Sequence, residues 1–215
     1  MQEPGPATAA TGADVLEAVE HSNRFLVQQV FKPIANEYRI SAVAAGSDEG
    51  RPLLYVKQKK MKIKEDIRFR VSANDEAYLF MIKAKTVFEF RGRHEVLDAD
   101  GTAIGLLEKN FGKSLLRSHW HVRDAAGNEL FEGHESSWPI ALLRRLGQIG
   151  PDWFSLLEWL PFNFVLTRND ERLGTYRRVL GAVRDRYVLE LEPALDVDRR
   201  LVLAYAVALD ALQDR

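Results

Sequence analysis

From Leu53 to His134 apolar and polar residues alternate in short bursts. A period of two puts successive side chains on opposite faces of a strand, so the pattern predicts half-buried strands. Candidates are Leu53–Ile63, Ile67–Val71, Tyr78–Ala84, Thr86–Phe90, His94–Leu97, Thr102–Glu108, Leu115–Arg123 and Glu129–His134. Phe25–Val30 and Asn36–Ser41 precede them, with Gly46–Pro52 as a polar turn region; Phe162–Thr167, Leu173–Val179 and Arg186–Leu191 follow. Asp98-Ala-Asp-Gly101 and Asp124-Ala-Ala-Gly127 place Asp first and Gly last in a turn, where a carboxylate caps and glycine takes positive φ at low cost. Asn169 to Gly174 reads as a looser version. This spacing predicts an antiparallel, mainly β architecture.

Three stretches depart from alternation. Asp14–Arg24 has a helical spacing, with Val15, Leu16, Ala18 and Val19 on one side. Trp138–Leu160 reads as one or two short helices broken at Gly150-Pro151, a helical insert at about 138–160. The chain ends in a helix from about Asp198 to Gln213, in which Leu201 to Leu209 leave no polar face. A helix apolar all round is buried all round, so in a β protein it is expected to thread a barrel, with Ala204, Val207 and Ala208 nearly inaccessible. Its apolar run, Leu201–Leu212, is far short of the roughly 20 residues that a membrane span needs, so no integral membrane span is expected.

The 215 residues suit one large β domain, and 46% apolar composition is enough to fill its core. Residues 1–13 are small and polar and read as a disordered lead-in without signal-peptide features; 14–215 read as one domain. No cysteine is present, which excludes disulfides, thiolate metal sites and a Cys nucleophile and suits a cytoplasmic setting. Charge is nearly balanced, at −1, so the chain as a whole is neither a nucleic-acid glove nor an acidic tail.

Leu195-Asp-Val-Asp-Arg-Arg-Leu-Val-Leu-Ala-Tyr-Ala-Val-Ala-Leu-Asp210 resembles the end of phospholipid scramblases, where an LD-x-D-x-K motif leads into an apolar helix with a late Asp. Phe25–Gln29 with Asn36-Glu-Tyr-Arg-Ile40, Ala103-Ile-Gly105, Phe162-Asn-Phe-Val165 and Leu173-Gly174 resemble that family's strands in the same order. Ile82-Lys-Ala-Lys85 and Ser114 to Trp120 are similar to bacterial scramblase-related proteins. The resemblance covers roughly Asp14 to the C-terminus. It implies the fold shared by scramblases, tubby C-terminal domains and LURP-one-related proteins, a closed antiparallel tubby-like barrel of about twelve strands around a central hydrophobic C-terminal helix. The chain lacks the scramblases' Pro-rich tail and Cys cluster, and their calcium loop reads here Gly181-Ala-Val-Arg-Asp-Arg186. Calcium needs six to eight oxygens, so calcium-triggered scrambling is not expected.

Nothing in the sequence points to catalysis, a cofactor or a resident metal. GxGxxG, Walker A and G-x-S-x-G motifs are absent. His119 and His121 share one strand face, as metal ligands can, and His94, His134 and Glu135 are the residues that could join them. Without a zinc-type spacing the pair reads as two polar residues on an outer barrel face. Asp98 to Gly101 lacks the later ligands of a calcium loop and reads as a turn.

The signal for function is basic. From Arg51 to Arg93 twelve Lys and Arg face five Asp and Glu. The candidate lipid- or anion-binding residues are Lys57, Lys59, Lys60, Lys62, Lys64, Arg68, Arg70, Lys83 and Lys85. Lys60, Lys62 and Lys64 alternate with Met61 and Ile63, whereas Leu54 and Val56 set the opposite parity; a bulge near Gln58 or Lys59 would reconcile them. An edge strand guarded by lysines gives the same pattern. The insert adds a candidate membrane-interface set, Trp138, Arg144, Arg145, Trp153 and Trp159, which a helical cap over the barrel or a protein-partner site would also explain. The expectation is a non-enzymatic module, peripheral at the inner membrane surface, that docks on anionic phospholipid or another polyanion. The alternatives are scrambling itself and nucleic-acid or protein-partner binding by the same basic face.

Overall fold

Period-two alternation resolves into strands that close on themselves. The computed structural model describes residues 10–30, 36–44, 47, 50–60, 65–84, 92–110, 119–136, 163–179 and 186–212. Their order is α1 (Gly12–Glu20), β1 (Arg24–Val30), β2 (Glu37–Val43), β3 (Gly50–Lys60), β4 (Glu65–Arg70), β5 (Phe80–Ala84), β6 (Arg93–Asp98), β7 (Ala103–Asn110), β8 (His119–Asp124), β9 (Glu129–Glu135), β10 (Asn163–Arg168), β11 (Glu171–Arg178), β12 (Arg186–Leu191) and α2 (Arg199–Ala211). The strand expected at Thr86–Phe90, the helical insert and the Gly181 loop lie outside the described residues.

Every strand pairs antiparallel with its sequence neighbours, and β12 returns to β1 through Arg24↔Glu190 to Gln28↔Arg186, so twelve strands form a closed barrel. Closure leaves no sheet edge, which removes the template for chain-to-chain pairing. Phe25 and Val27, Trp120 and Val122, and Phe164 and Leu166 alternate inward on their strands and are fully buried. Eight strands enclose space that side chains alone fill, and sixteen leave a channel. Twelve need a filler, and α2 is that filler: Leu201 to Leu209 are at most 1% exposed, Ala204, Val207 and Ala208 among them.

Local chemistry fixes the helix ends. Asp198 caps α2 by accepting from the Arg200 N–H at 2.8 Å and from its guanidinium at 2.6 Å. Arg199 is buried and donates to the carbonyls of Leu195 and Val197 and to Asn23 Oδ1. At the far end Asp210 is buried and accepts from Tyr38 Oη at 2.7 Å and Tyr187 Oη at 3.3 Å. Gln58 donates to the Ala211 carbonyl at 3.3 Å. The residues that carry the tail motif therefore seat the helix. Helix α1 starts two residues earlier than its apolar spacing predicts, because Thr11 and Asp14 form a capping box; it ends at Glu20, and Arg24 already belongs to β1.

Two turns match expectation, with Gly101 and Gly127 at φ 89° and 90° and Asp98 and Asp124 accepting backbone N–H groups. The third is tighter than expected. Asn169 and Asp170 both have positive φ, 50° and 65°, in a two-residue hairpin. The bulge expected near Gln58 or Lys59 does not occur: β3 and β4 run in unbroken register from Tyr55↔Arg70 to Lys60↔Glu65. The irregularity lies at the other end of β3, where its pairing with β2 shifts between Ile40 and Ser41. Position 60 thus falls in the register row of Leu54, Val56 and Gln58, not in the row of Lys57. Gln58 keeps the inward parity because the end of α2 gives its amide a partner.

The helix needs close approach at two glycines. A Cβ on Gly105 would meet Leu201 Cδ2 at 2.7 Å, and one on Gly133 would run into the Tyr205 ring and hydroxyl. Gly133→Ala is expected to lower the unfolding free energy by about 1–3 kcal/mol, the usual cost of an overpacked core; an unchanged denaturant midpoint would refute this seating. Ala208→Asp encloses an unpaired charge in the core, where Ala208 is fully buried, and should abolish cooperative melting.

Candidate functional site

The described basic residues meet on β3, β4 and β5, but not as an uninterrupted positive face. Lys57 stands opposite Arg68 on one side and Glu37 on the other. Its ammonium is 3.9 Å from Glu37 Oε1, and Glu37 is buried. Arg68 lies over the Tyr78 ring at 5.5 Å and 3.4 Å from Asp66. In backbone register positions 59 and 60 stand opposite 66 and 65, and Lys83 stands opposite Asp66 and Glu95. Arg70 is buried and donates to the Asp75 carbonyl at 2.7 Å, which makes it a fastener of the β4–β5 connection. Glu37 and Glu95 come from outside the stretch that looked basic or from its far strand; only register brings them alongside. Lys62, Lys64, Lys85, Trp138, Arg144, Arg145, Trp153 and Trp159 lie outside the described residues.

Strand ends sort the charge more sharply than strand faces do. In an up-and-down barrel, alternate connections join strands at opposite ends. The segments linking β1–β2, β3–β4, β5–β6, β7–β8, β9–β10 and β11–β12 all join strand ends at one end of the barrel. Together they carry ten Lys and Arg against four Asp and Glu, with nine aromatic residues. Lys62, Lys64, Lys85 and the whole Trp138–Leu160 stretch belong to these segments. The connections β2–β3, β4–β5, β6–β7, β8–β9, β10–β11 and β12–α2 carry nine Asp and Glu and no Lys or Arg. Helix α1, with Asp14, Glu17 and Glu20, sits at this acidic end, where Gly12 meets Leu79 of the β4–β5 connection. The C-terminal end of α2, where the partial charge of a helix is negative, points to the basic end, as its contacts with Tyr38, Gln58 and Tyr187 require.

The histidines separate into two settings. His119 and His121 lie on the outer face, as expected, with ring centroids 4.7 Å apart. Their carboxylate neighbours are Glu132, beside His119, and Glu129, beside His121, not Glu135, which is buried. The shift in pairing between Val122 and Arg123 hides this from a count along the sequence. His94 is away from them on β6, its neutral form favoured by burial and then by the Lys109 ammonium, which hold it down at about 4.

A closed twelve-stranded antiparallel barrel threaded by its C-terminal helix is the tubby-like architecture that the tail motif implies. The LURP-one-related family model matches residues 53–210; the chain belongs to that family. No curated protein matches the chain.

His94 gives a pH dependence. Its folded value lies below the unfolded 6.5, so the unfolded state binds the proton first. The stabilisation is present above pH 6.5 and is lost as pH falls through about 4. Melting temperatures measured across that window should fall less steeply for His94→Gln than for the wild type.

Proposed function

We propose that the protein is a non-enzymatic module that docks its basic, loop-bearing end on anionic phospholipid surfaces. The segregation of charge between the two barrel ends carries this reading. An anionic surface attracts the end with ten cations and repels the end with nine carboxylates, so docking is oriented before contact. Each basic residue near acidic lipid contributes about 1 kcal/mol, and the tryptophans of the β9–β10 segment suit the interface. Family membership is compatible with a binding role and names no ligand. Scrambling is the weaker reading: no described helix is long and apolar enough to cross a membrane, and α2 fills the barrel. Outward positions such as Arg24, Arg123 and Glu190 also form ion pairs, unlike the apolar band of a lipid-facing barrel.

Co-sedimentation with neutral and acidic vesicles across a salt series tests the proposal. Acidic vesicles should bind the protein at low salt and release it as screening shortens the Debye length below about 8 Å. Lys62→Glu, Lys64→Glu and Lys85→Glu combined should weaken binding by roughly a hundredfold or more with little change in melting temperature. Binding that persists in high salt but falls on Trp153→Ala or Trp159→Ala would assign the anchor to apolar insertion instead. Equal binding to neutral and acidic vesicles at low salt would refute electrostatic docking.

A further inference from the structure

The outer face of the β8–β9 hairpin carries a donor set that membrane docking does not use. Cross-strand register puts His119 opposite His134 and His121 opposite Glu132. The Glu132 carboxylate reaches both rings, with Oε2 2.8 Å from His119 Nε2 and Oε1 3.9 Å from His121 Nδ1. One donor atom from each of His119, His121 and Glu132 lies within 4.8 Å of the other two. The three side chains are 33%, 19% and 37% exposed, so the set is part-buried in the sheet surface and open on one side. Two rigid strands hold it, and the inward neighbours Trp120 and Phe131 are fixed in the core against Tyr205.

Donor chemistry selects the ligand. Two imidazoles and one carboxylate form the three-ligand set of an open tetrahedral zinc site. Calcium and magnesium need more oxygen donors than this face offers. Arg123, two residues along β8 from His121, is held by Glu108 at 2.8 Å and by Glu129 at 3.2 Å, so its charge is compensated. Glu129 also lies 2.9 Å from His121 Nδ1 and adds negative charge beside the set.

We propose that His119, His121 and Glu132 bind a divalent ion of the zinc class on the outside of the barrel, leaving its fourth position to water. The ion takes the place of the hydrogen bond between His119 Nε2 and Glu132 Oε2. Only an imidazole nitrogen without a proton can ligate the ion, so protons compete with it for the site. It also ties β8 to β9 and raises the stability of the folded state.

Titration calorimetry and thermal melts with zinc chloride test the site on the whole chain at neutral pH. Wild type should take up one equivalent and melt at a higher temperature, and calcium should do neither. His119→Ala and Glu132→Gln should each weaken uptake by at least about tenfold, the low end of what even an outer-shell loss costs at a zinc site; His21→Ala, outside the cluster, should not. Imidazole nitrogen shifts of wild-type protein provide a reading that needs no variant: zinc should move His119 and His121. The proposal fails if wild type shows no saturable uptake, if His119→Ala with His121→Ala binds like wild type, or if zinc moves only other histidines. None of these outcomes depends on whether the barrel binds membranes.

Discussion

Burial of α2 is the interaction on which the rest of the structure depends. A twelve-stranded barrel without it would surround a space too wide for its own side chains, and the inward Phe, Tyr and Trp residues would face water. With Leu201 to Leu209 inside, each strand's apolar face has a partner. The helix in turn dictates details of the wall. Gly105 and Gly133 stand where its side chains press closest. A buried Asp, two Tyr and a Gln appear where its last turn needs polar partners. Gly105, Gly133 and Gln58, which look irregular in the strand pattern, answer to the helix.

Connectivity then decides where charge goes. Because the chain winds up and down without a crossover, every second connection returns to the same end, and residues far apart in sequence act as one surface. The net charge of −1 conceals this polarity. Local sums along the sequence conceal it too, since the stretch from Arg51 to Arg93 mixes both ends and the wall between them. Within the wall, cross-strand carboxylates temper the cations, and Arg70 serves the backbone rather than a ligand.

Strands, turns and central helix were legible in the sequence because their signals are local: alternation, Asp and Gly at turn ends, and a helix without a polar face. The buried parity of Leu54 and Val56 was legible for the same reason. Gln58 was misleading, because a polar residue on the inward row mimics a slip in register when its partner is 153 residues away. The pairing of Glu132 with His119 was hidden by the shift between Val122 and Arg123, and the partnership of Lys57 with Glu37 by distance along the chain. Both candidate sites therefore became visible only once register and topology were known.

The order of elements also governs how the protein is made. All twelve strands precede α2 in the chain, and the closing pair of β1 with β12 joins residues as far apart as Arg24 and Glu190. During synthesis the wall emerges first, with its apolar faces uncovered and nothing to wrap around. Such a chain lacks its core until α2 has followed the strands out of the ribosome, a period in which exposed strand edges invite association with other chains. The helix is thus a completion signal as well as a core. A product cut short before Arg199 lacks the helix that fills the barrel, and the inward side chains of its strands have nothing to pack on.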